Sequence, residues 1–441
     1  MNYTGLLAIC VAATLPGITG AASADDEIVI TATKMAQPRA EVPASISVIG
    51  ADALGNGGGY DSAGQVTRLT TGVQAAVANG SQVAFQIRGI GAVDHQALTP
   101  GAAAIYADGV FLATNVQTGL LLYDLDRVEV LKGPQGSLYG RNASSGAINF
   151  LSARPGPEQG SSVALSLGDH ERVDLTGAFG TSLSENLHLR LAGRRLTQGP
   201  LVKNVVSDPA RPVAPSAAGG ERDDVGLRAS MLWQPGAGEV LARIHYEEAN
   251  GINPAPRNDA LDLGDHEISL SGDGIQDTDN EFFGAAIEAS WPLGDWELFS
   301  LSALEGYNQH YGFDFDGTPA PFGNGNLNAN LAYERDFLQA SEELRLSRRH
   351  RRGTSLVGVA LSSDDFSQDY LIWCGNRAPG TRIGDCPYVG TPGRVGPAET
   401  VPATPMSLIT RTNQQRNSAA LFSWNDLELS DRLTATLGLR Y

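Results

Sequence analysis

From about residue 160 onward the chain runs in segments about ten residues long in which apolar and polar side chains alternate. In DVGLRASMLW, Val225, Leu227, Ala229, Met231 and Trp233 share one face, and Gly226, Arg228 and Ser230 the other. VLARIHYE and LTATLGLRY repeat the pattern. Period two is the signature of a β-strand with two unlike faces. Eleven such strands are expected, at 161–168, 171–182, 186–198, 224–234, 239–249, 282–292, 296–310, 335–347, 354–369, 416–429 and 432–441. A soluble sandwich would alternate too, but the connections decide against it. SLSEN, QPGAG, PLGD, SRRHRRG and LSD are tight, whereas 199–223, 250–281, 311–334 and 370–415 are long and rich in Gly, Pro, Asp and Asn. After the first hairpin, tight and long links alternate without exception. A membrane β-barrel has that asymmetry, with short turns on one side and long loops on the other. Aromatics at strand ends (Trp233, Tyr246, Trp291, Trp296, Tyr307, Trp424) fit interfacial girdles.

Eleven is an awkward count, because single-chain bacterial barrels have even numbers and no exposed edge in lipid. The expectation is therefore a fragment, or a prematurely ended reading frame, carrying the first eleven strands of a barrel of about 22. The net charge of −18 and pI near 4.8 argue against nucleic-acid binding. RRHRR at 348–352 is the one basic cluster and reads as a turn between strands.

Residues 1–24 read as a secretory signal: LLAICVAATLPGI is apolar, and Ala22-Ser23-Ala24 precedes the acidic Asp25-Asp26-Glu27. The region Met1 to Gly5 carries no Lys or Arg, a departure from the usual pattern. The apolar run is too short for a transmembrane helix of about 20 residues. Beyond Cys10, inside the signal, only Cys374 and Cys386 remain. With no His nearby they make a poor zinc site, and a loop disulfide is the better reading in an oxidising compartment.

Between signal and strands, residues 37–155 mix short apolar runs (SISVIG, AIYADGVFL, DRVEVL) with turn chemistry, which reads as a compact α+β domain. A globular domain ahead of a large barrel is the arrangement of a plugged lumen. The Gly-rich stretch DRVEVLKGPQGSLYGRNASSGAINF is the place to look for a phosphate cradle. Lys132 precedes its glycines, so G-x-x-x-x-G-K-[ST] fails, and G-x-G-x-x-G is missing as well. The glycines read instead as turn residues after a strand.

Arg127-Val128-Glu129-Val130-Leu131-Lys132-Gly133-Pro134, with Leu138-Tyr139-Gly140 and Gly146-Ala147-Ile148-Asn149, resembles the plug signature of TonB-dependent outer-membrane receptors of the siderophore-receptor type. Val42 to Ile49, Ile87-Arg88-Gly89 and Ala107-Asp108-Gly109-Val110 precede it in family order, and Glu27-Ile28-Val29-Ile30-Thr31-Ala32 resembles the TonB box. The resemblance implies a transmembrane β-barrel with an N-terminal α+β plug, divided as signal 1–24, TonB box and linker 25–36, plug 37–155 and partial barrel 156–441. It implies uptake of a scarce ligand, foremost a ferric siderophore or other iron chelate, across the outer membrane of a Gram-negative bacterium. The partners implied are TonB with its inner-membrane energising complex, outer-membrane lipid and the chelate, with no cofactor and no resident metal. The alternatives are a non-iron organic nutrient and a non-functional truncated receptor. A sigma-regulating transducer needs a further domain before the box, and none fits when the box starts within three residues of Ala24. An enzyme is disfavoured by the lack of G-x-S-x-G, H-E-x-x-H and paired-cysteine motifs.

The residues themselves give the box a rationale: a polar-flanked Ile/Val/Thr run can add as an edge strand to a partner's sheet. Arg88, Arg127 and Arg141 are candidate plug–barrel contacts, and alternation in DFLQASEELRLS turns Glu343 toward the lumen as a possible partner. The motif residues Gly89, Asp108, Gly109, Glu129, Gly133, Pro134, Gly140 and Gly146 complete that set. Plug apices near 79–96 and 111–118 and the loop 311–334 are the expected ligand surfaces, with Gln82, His95, Gln96, Phe313 and Phe315 as candidates.

Overall fold

The computed structural model describes residues 29–30, 34–35, 37–38, 42, 44–55, 63–78, 82–91, 97, 99, 101–120, 122–205, 219–252, 264–268, 277–314, 329–374, 407–430 and 433–441. The chain divides into two units, Met1–Val42 and Pro43–Tyr441. In the first, β1 (Val29–Ile30) pairs antiparallel with β2 (Gln37–Pro38). Of the expected TonB box, Glu27, Ile28, Thr31 and Ala32 lie outside the described residues.

The second unit begins with a small α+β domain. Its sheet has the order β3 (Ser45–Gly50), β8 (Leu125–Lys132), β9 (Gly146–Ser152), β6 (Ala103–Ala107), β7 (Val110–Phe111), and only the β6–β9 pair is parallel. A separate hairpin joins β4 (Val73–Ala78) to β5 (Gln82–Ile87). Two short helices, α1 (Ala51–Gly55) and α2 (Gly136–Tyr139), complete it with 3-10 turns at Ala63–Arg68 and Asn115–Gly119. Val128, Glu129, Val130 and Leu131 are all at most 1 % exposed, so β8 is covered on both faces. Ile49, Phe85, Ile87, Ile105, Val128, Val130 and Ile148 build the core around it.

The Gly-rich stretch is a path between β8 and β9. Gly146 sits at φ +151°, and a Cβ there would collide with the carbonyl oxygen of Leu131. Ala107-Asp108-Gly109-Val110 is a two-residue hairpin with φ +49° at Asp108 and +83° at Gly109. Two successive positive φ values are what a type I′ turn demands and what Asp-Gly supplies.

Eleven strands then form one antiparallel sheet in sequence order: β10 (Ser162–Gly168), β11 (Arg172–Ser184), β12 (Leu187–Gln198), β14 (Arg222–Trp233), β15 (Glu239–Ile252), β17 (Asp277–Leu293), β18 (Trp296–Asp314), β19 (Ala329–His350), β20 (Gly353–Cys374), β21 (Ser407–Ser430) and β22 (Leu433–Arg440). The short β13 (Lys203–Asn204) and β16 (Glu267–Ile268) pair in parallel between the segments that follow β12 and β15. Every strand expected from alternation is present, and most extend further toward the long links. Ala329–His350 exceeds the expected 335–347 because Glu334, exposed on its outer face toward the long link, breaks the apolar pattern. The ladder continues past the apolar band because backbone pairing does not require apolar side chains.

The sheet has an apolar outer face, with Leu227, Ile244, Ile287, Leu338, Leu344, Val359 and Leu421 each more than 40 % exposed. The inner face is polar and aromatic and is covered by the α+β domain. Trp233, Trp291 and Trp296 lie on the outer strand faces at the tight-turn end, as a girdle requires. Two of the expected girdle aromatics do not fit. Tyr307 is 0 % exposed in an inner aromatic cluster, and Trp424 pairs across from the buried Leu356 and donates Nε1 to Asp426. Period two shows that two faces exist; only the covered face shows which is inner. Among the described residues no helix is long and apolar enough to cross a membrane, which says nothing against a barrel.

Candidate functional site

The inner face is organised in rows across β17 to β20, set by register. Nearest the long links, Tyr311, Tyr333 and Tyr370 lie side by side, with the last two rings stacked at 4.8 Å. The next row is Asn280, Gln309, Arg335 and Gln368. Arg335 donates Nε to Gln368 Oε1 and Nη1 to Gln309 Oε1, each at 2.7 Å, and lies 4.0 Å from the Tyr333 ring centroid. Below it run Phe282, Tyr307, Phe337 and Phe366, four aromatic partners on four adjacent strands. Ala97, Ala113 and Val116 of the α+β domain pack on this row. Leu112, Ala113, Thr114, Val116, Gln117 and Thr118 are buried, so the expected ligand surface at 111–118 is covered among the described residues.

The following row makes the polar contact. His245, Gly284, Glu305, Gln339, Asp364 and Arg416 are successive register partners from β15 to β21. Gly284 has no side chain, and His245 Nε2 reaches Glu305 Oε2 across it at 3.0 Å. Gln339 donates to the carbonyl of Phe111 at 2.9 Å. Asp364, whose side chain is 1 % exposed, accepts from Arg141 at 3.1 Å and from Arg416 at 3.0 Å. Further toward the tight turns, Ala286 and Ala303 leave room for Val110, which packs there with Leu301.

Two further carboxylates of the α+β domain face sheet arginines. Asp124 is bonded by Arg190 Nε at 2.8 Å and lies 3.5 Å from Arg228 Nη2, and the Arg228 guanidinium also sits 4.8 Å over the Tyr123 ring. Asp108 accepts from the Ser152 N–H at 2.7 Å and its hydroxyl at 2.8 Å, and Arg243 stands 3.8 Å away. Burial opposes ionisation of Asp108, but Arg243, Arg228 and the Ser152 hydrogen bonds outweigh it and hold its carboxyl below the usual carboxylate range.

Of the three candidate arginines, only Arg141 makes an ion pair with the sheet among the described residues. Arg127 stays within its own domain, bonded to Asp126 and, through Nε at 2.8 Å, to Glu129. Arg88 is exposed at φ +54° and has no ion pair among the described residues. A cavity of about 690 Å³ opens beside Arg88 and Gly89, lined also by Arg68, Thr70 and Gly72. Gly133 comes within reach of the Arg88 guanidinium, and Pro134 is exposed in the turn that follows. Gly140 (φ +75°) lies under the Arg440 guanidinium of β22. The ion pair shown for Glu343 is with Arg345 of its own strand, at 3.3 Å. Asp364, four residues into the next strand's register from it, takes the domain's arginine instead.

Among the ligand candidates, Gln82 is 1 % exposed at the start of β5, with neither amide atom hydrogen-bonded, so it lies inside the domain and not on its surface. Phe313 is in β18 opposite Leu331, and Cys374 ends β20 opposite Ala329. His95, Gln96, Phe315 and Cys386 lie outside the described residues. Sequence reading missed Asp124, Arg190, Arg228, Arg243, Gln339 and Asp364. A weak signal existed: Arg190, Arg194, Arg228 and Arg243 sit on strands whose opposite faces are apolar, and charge confined to one face marks a wet or paired side.

Comparison with known proteins places this geometry. Residues 38–147 match the family model of the TonB-dependent Receptor Plug Domain. The Vitamin B12 transporter BtuB of Vibrio vulnificus is 29 % identical over 171 residues, covering 38 % of this chain and 27 % of that protein. The pesticin receptor of Yersinia pestis is 34 % identical over 149 residues, covering 32 % and 21 %. The crystal structure of the ferric yersiniabactin uptake receptor FyuA from Yersinia pestis superposes with a TM-score of 0.73 at 17 % identity, over 90 % of this chain and 56 % of that one. The outer-membrane ferripyoverdine receptor of Pseudomonas aeruginosa gives 0.66 at 16 %, over 93 % and 53 %. The chain thus spans about half the length of these solved receptors, and its alignments cover about a quarter of the curated relatives. These matches are receptors and transporters, not enzymes. Residues 38–147 thus carry the plug domain of TonB-dependent receptors, and the eleven-stranded sheet that follows has the fold of the barrels of solved outer-membrane receptors.

Proposed function

We propose that this chain is the plug and barrel sheet of a receptor that takes up a ferric siderophore or similar iron chelate by TonB-driven movement of the plug. The observation that carries this is the plug's attachment. Away from its apolar patches it is tied to the inner wall by separate polar links: Arg141 to Asp364, Asp124 to Arg190, Asp108 toward Arg243, and Phe111 O to Gln339. Links of this kind exchange for water one at a time under load, whereas a continuous apolar seal does not. Glu27 to Ala32 is the segment on which TonB would pull, by adding it as a strand to its own sheet. The long-link end, where the Arg335 guanidinium packs 4.0 Å from the Tyr333 ring centroid, is the side on which the ligand would arrive. Iron chelates are the cargo named for FyuA and the ferripyoverdine receptor.

The vitamin B12 relative favours a second cargo class, an organic nutrient without exchangeable iron. Protein abundance in the native cell, with and without an iron chelator, separates the two. Strong induction on iron starvation, together with gene-dependent uptake of radiolabelled iron lost in a strain lacking TonB, is expected. Unchanged abundance and unchanged iron uptake would reject the iron reading and turn the search to carbon-containing solutes. Uptake that survives loss of TonB would reject the mechanism.

A further inference from the structure

Five tight turns close the sheet at one end, and they differ sharply in charge. Four of them read Glu185-Asn186, QPGAG at 234–238, Gly294-Asp295 and Asp431-Arg432. The fifth, between β19 and β20, is Arg351-Arg352, and it follows directly on Arg348-Arg349-His350 at the end of β19. In a chain of net charge −18, this is a local reversal of sign. Arg351 and Arg352 are exposed and form no ion pair among the described residues. Arg348 is 40 % exposed on the outer face, 5.7 Å from the Trp296 ring centroid, and pairs with the exposed Asp295 at 2.6 Å. On the neighbouring β21, Asp426 is engaged by Trp424 Nε1 at 3.2 Å and Thr436 Oγ1 at 2.6 Å, leaving it occupied. His350 Nε2 lies 3.3 Å from Ser355 Oγ.

Position gives the cluster its meaning. It continues the row of outward tryptophans Trp233, Trp291 and Trp296 and caps strands whose outer faces carry Leu344, Val357 and Val359. Tight turns lie on the periplasmic side of an outer-membrane barrel, so the cluster stands at the headgroup level of the inner leaflet. Guanidinium groups bind phosphate oxygens in a forked geometry, and an indole beside them covers the glycerol and upper acyl region. We propose that Arg348, Arg351 and Arg352, with Trp296, form a binding site for the phosphate headgroup of an anionic phospholipid, which fixes the depth and rotation of this edge of the receptor in the membrane. An acidic periplasmic protein would be drawn by the same charge, but it would have no use for the tryptophan and the leucine and valine flank beneath it.

The test is native mass spectrometry of the full chain in neutral detergent, titrated with phosphatidylglycerol and phosphatidylcholine of matched acyl chains. The wild type is expected to prefer phosphatidylglycerol, with the preference falling by about fivefold for each of Arg348→Gln, Arg351→Gln and Arg352→Gln. Arg351→Lys with Arg352→Lys is expected to give an intermediate preference, because the charge is retained and the forked donor geometry is lost. Arg195→Gln, an exposed arginine on the opposite, long-link end of β12, serves as control and is expected to change nothing. Equal binding of the two lipids by the wild type would overturn the proposal. So would a preference unaffected by the glutamine variants, or one lost equally in Arg195→Gln. Circular dichroism of each variant confirms that the strand content is intact.

Discussion

At the scale of single residues, the glycine-rich signature and the polar links make separate predictions. Gly146→Ala places a methyl group inside the Leu131 carbonyl at a backbone angle that side chains avoid. It should destabilise the plug by about 2–3 kcal/mol, read as a lower urea midpoint of the detergent-solubilised chain. Asp364→Asn removes the carboxylate shared by Arg141 and Arg416, two partly exposed cations. A loss of about 2 kcal/mol of plug attachment is expected, seen as faster hydrogen exchange in residues 133–146 with the sheet strands unchanged. Uniform exchange in both proteins would show that this link does not hold the plug. Asp108 yields a pH dependence. Its folded-state pKa is depressed, so its stabilising contribution is complete above about pH 4 and is lost as pH falls through the lower folded value. Urea midpoints should drop between pH 6 and pH 2, with a smaller drop in Asp108→Asn. Equal drops would assign the acid sensitivity to other groups. The glycine positions were legible in the sequence because a turn leaves a local mark. Asp364 was not, since its link to Arg141 spans 223 positions and nothing near either residue announces the other.

At the scale of elements, the strands were legible and their inner rows were not. Alternation is a local consequence of a wet or packed inner face and an apolar outer one, so each strand declares itself. The row His245, Gly284, Glu305, Gln339, Asp364 and Arg416 comes from six strands' relative stagger, which no single strand encodes. Gly284 shows the cost of ignoring the row. A Cβ there would fall 2.5 Å from Glu305 Oε2 and closer still to His245 Nε2. Gly284→Val should separate that pair and bow β17 away from the plug, raising the exchange rate of Val110 amide protons. Ala286→Val, one row on, tests packing without polar loss and should cost about 1–3 kcal/mol by crowding Val110. The strand ends were read short because alternation fades where the outer face leaves the apolar band, as at Glu334.

At the scale of the whole molecule, the interior strands β15 to β20 are paired on both sides, while β10 and β22 border the sheet among the described residues. All seven residues of β10 are exposed. Its amides should therefore exchange earliest of the eleven strands, and those of β18 and β19 latest. Slow exchange throughout β10 would mean that this edge is covered in solution. The sequence alone determined that the chain has a turn-rich α+β plug and two-faced strands joined by links of two lengths, because turns, periodicity and loop composition are short-range properties. Tertiary structure alone decided which aromatics face inward, why Arg141 and not Arg127 crosses to the wall, and which carboxylate receives it. Those outcomes depend on strand stagger and on the docking of one domain against another, and both arise only when distant segments compete for the same space.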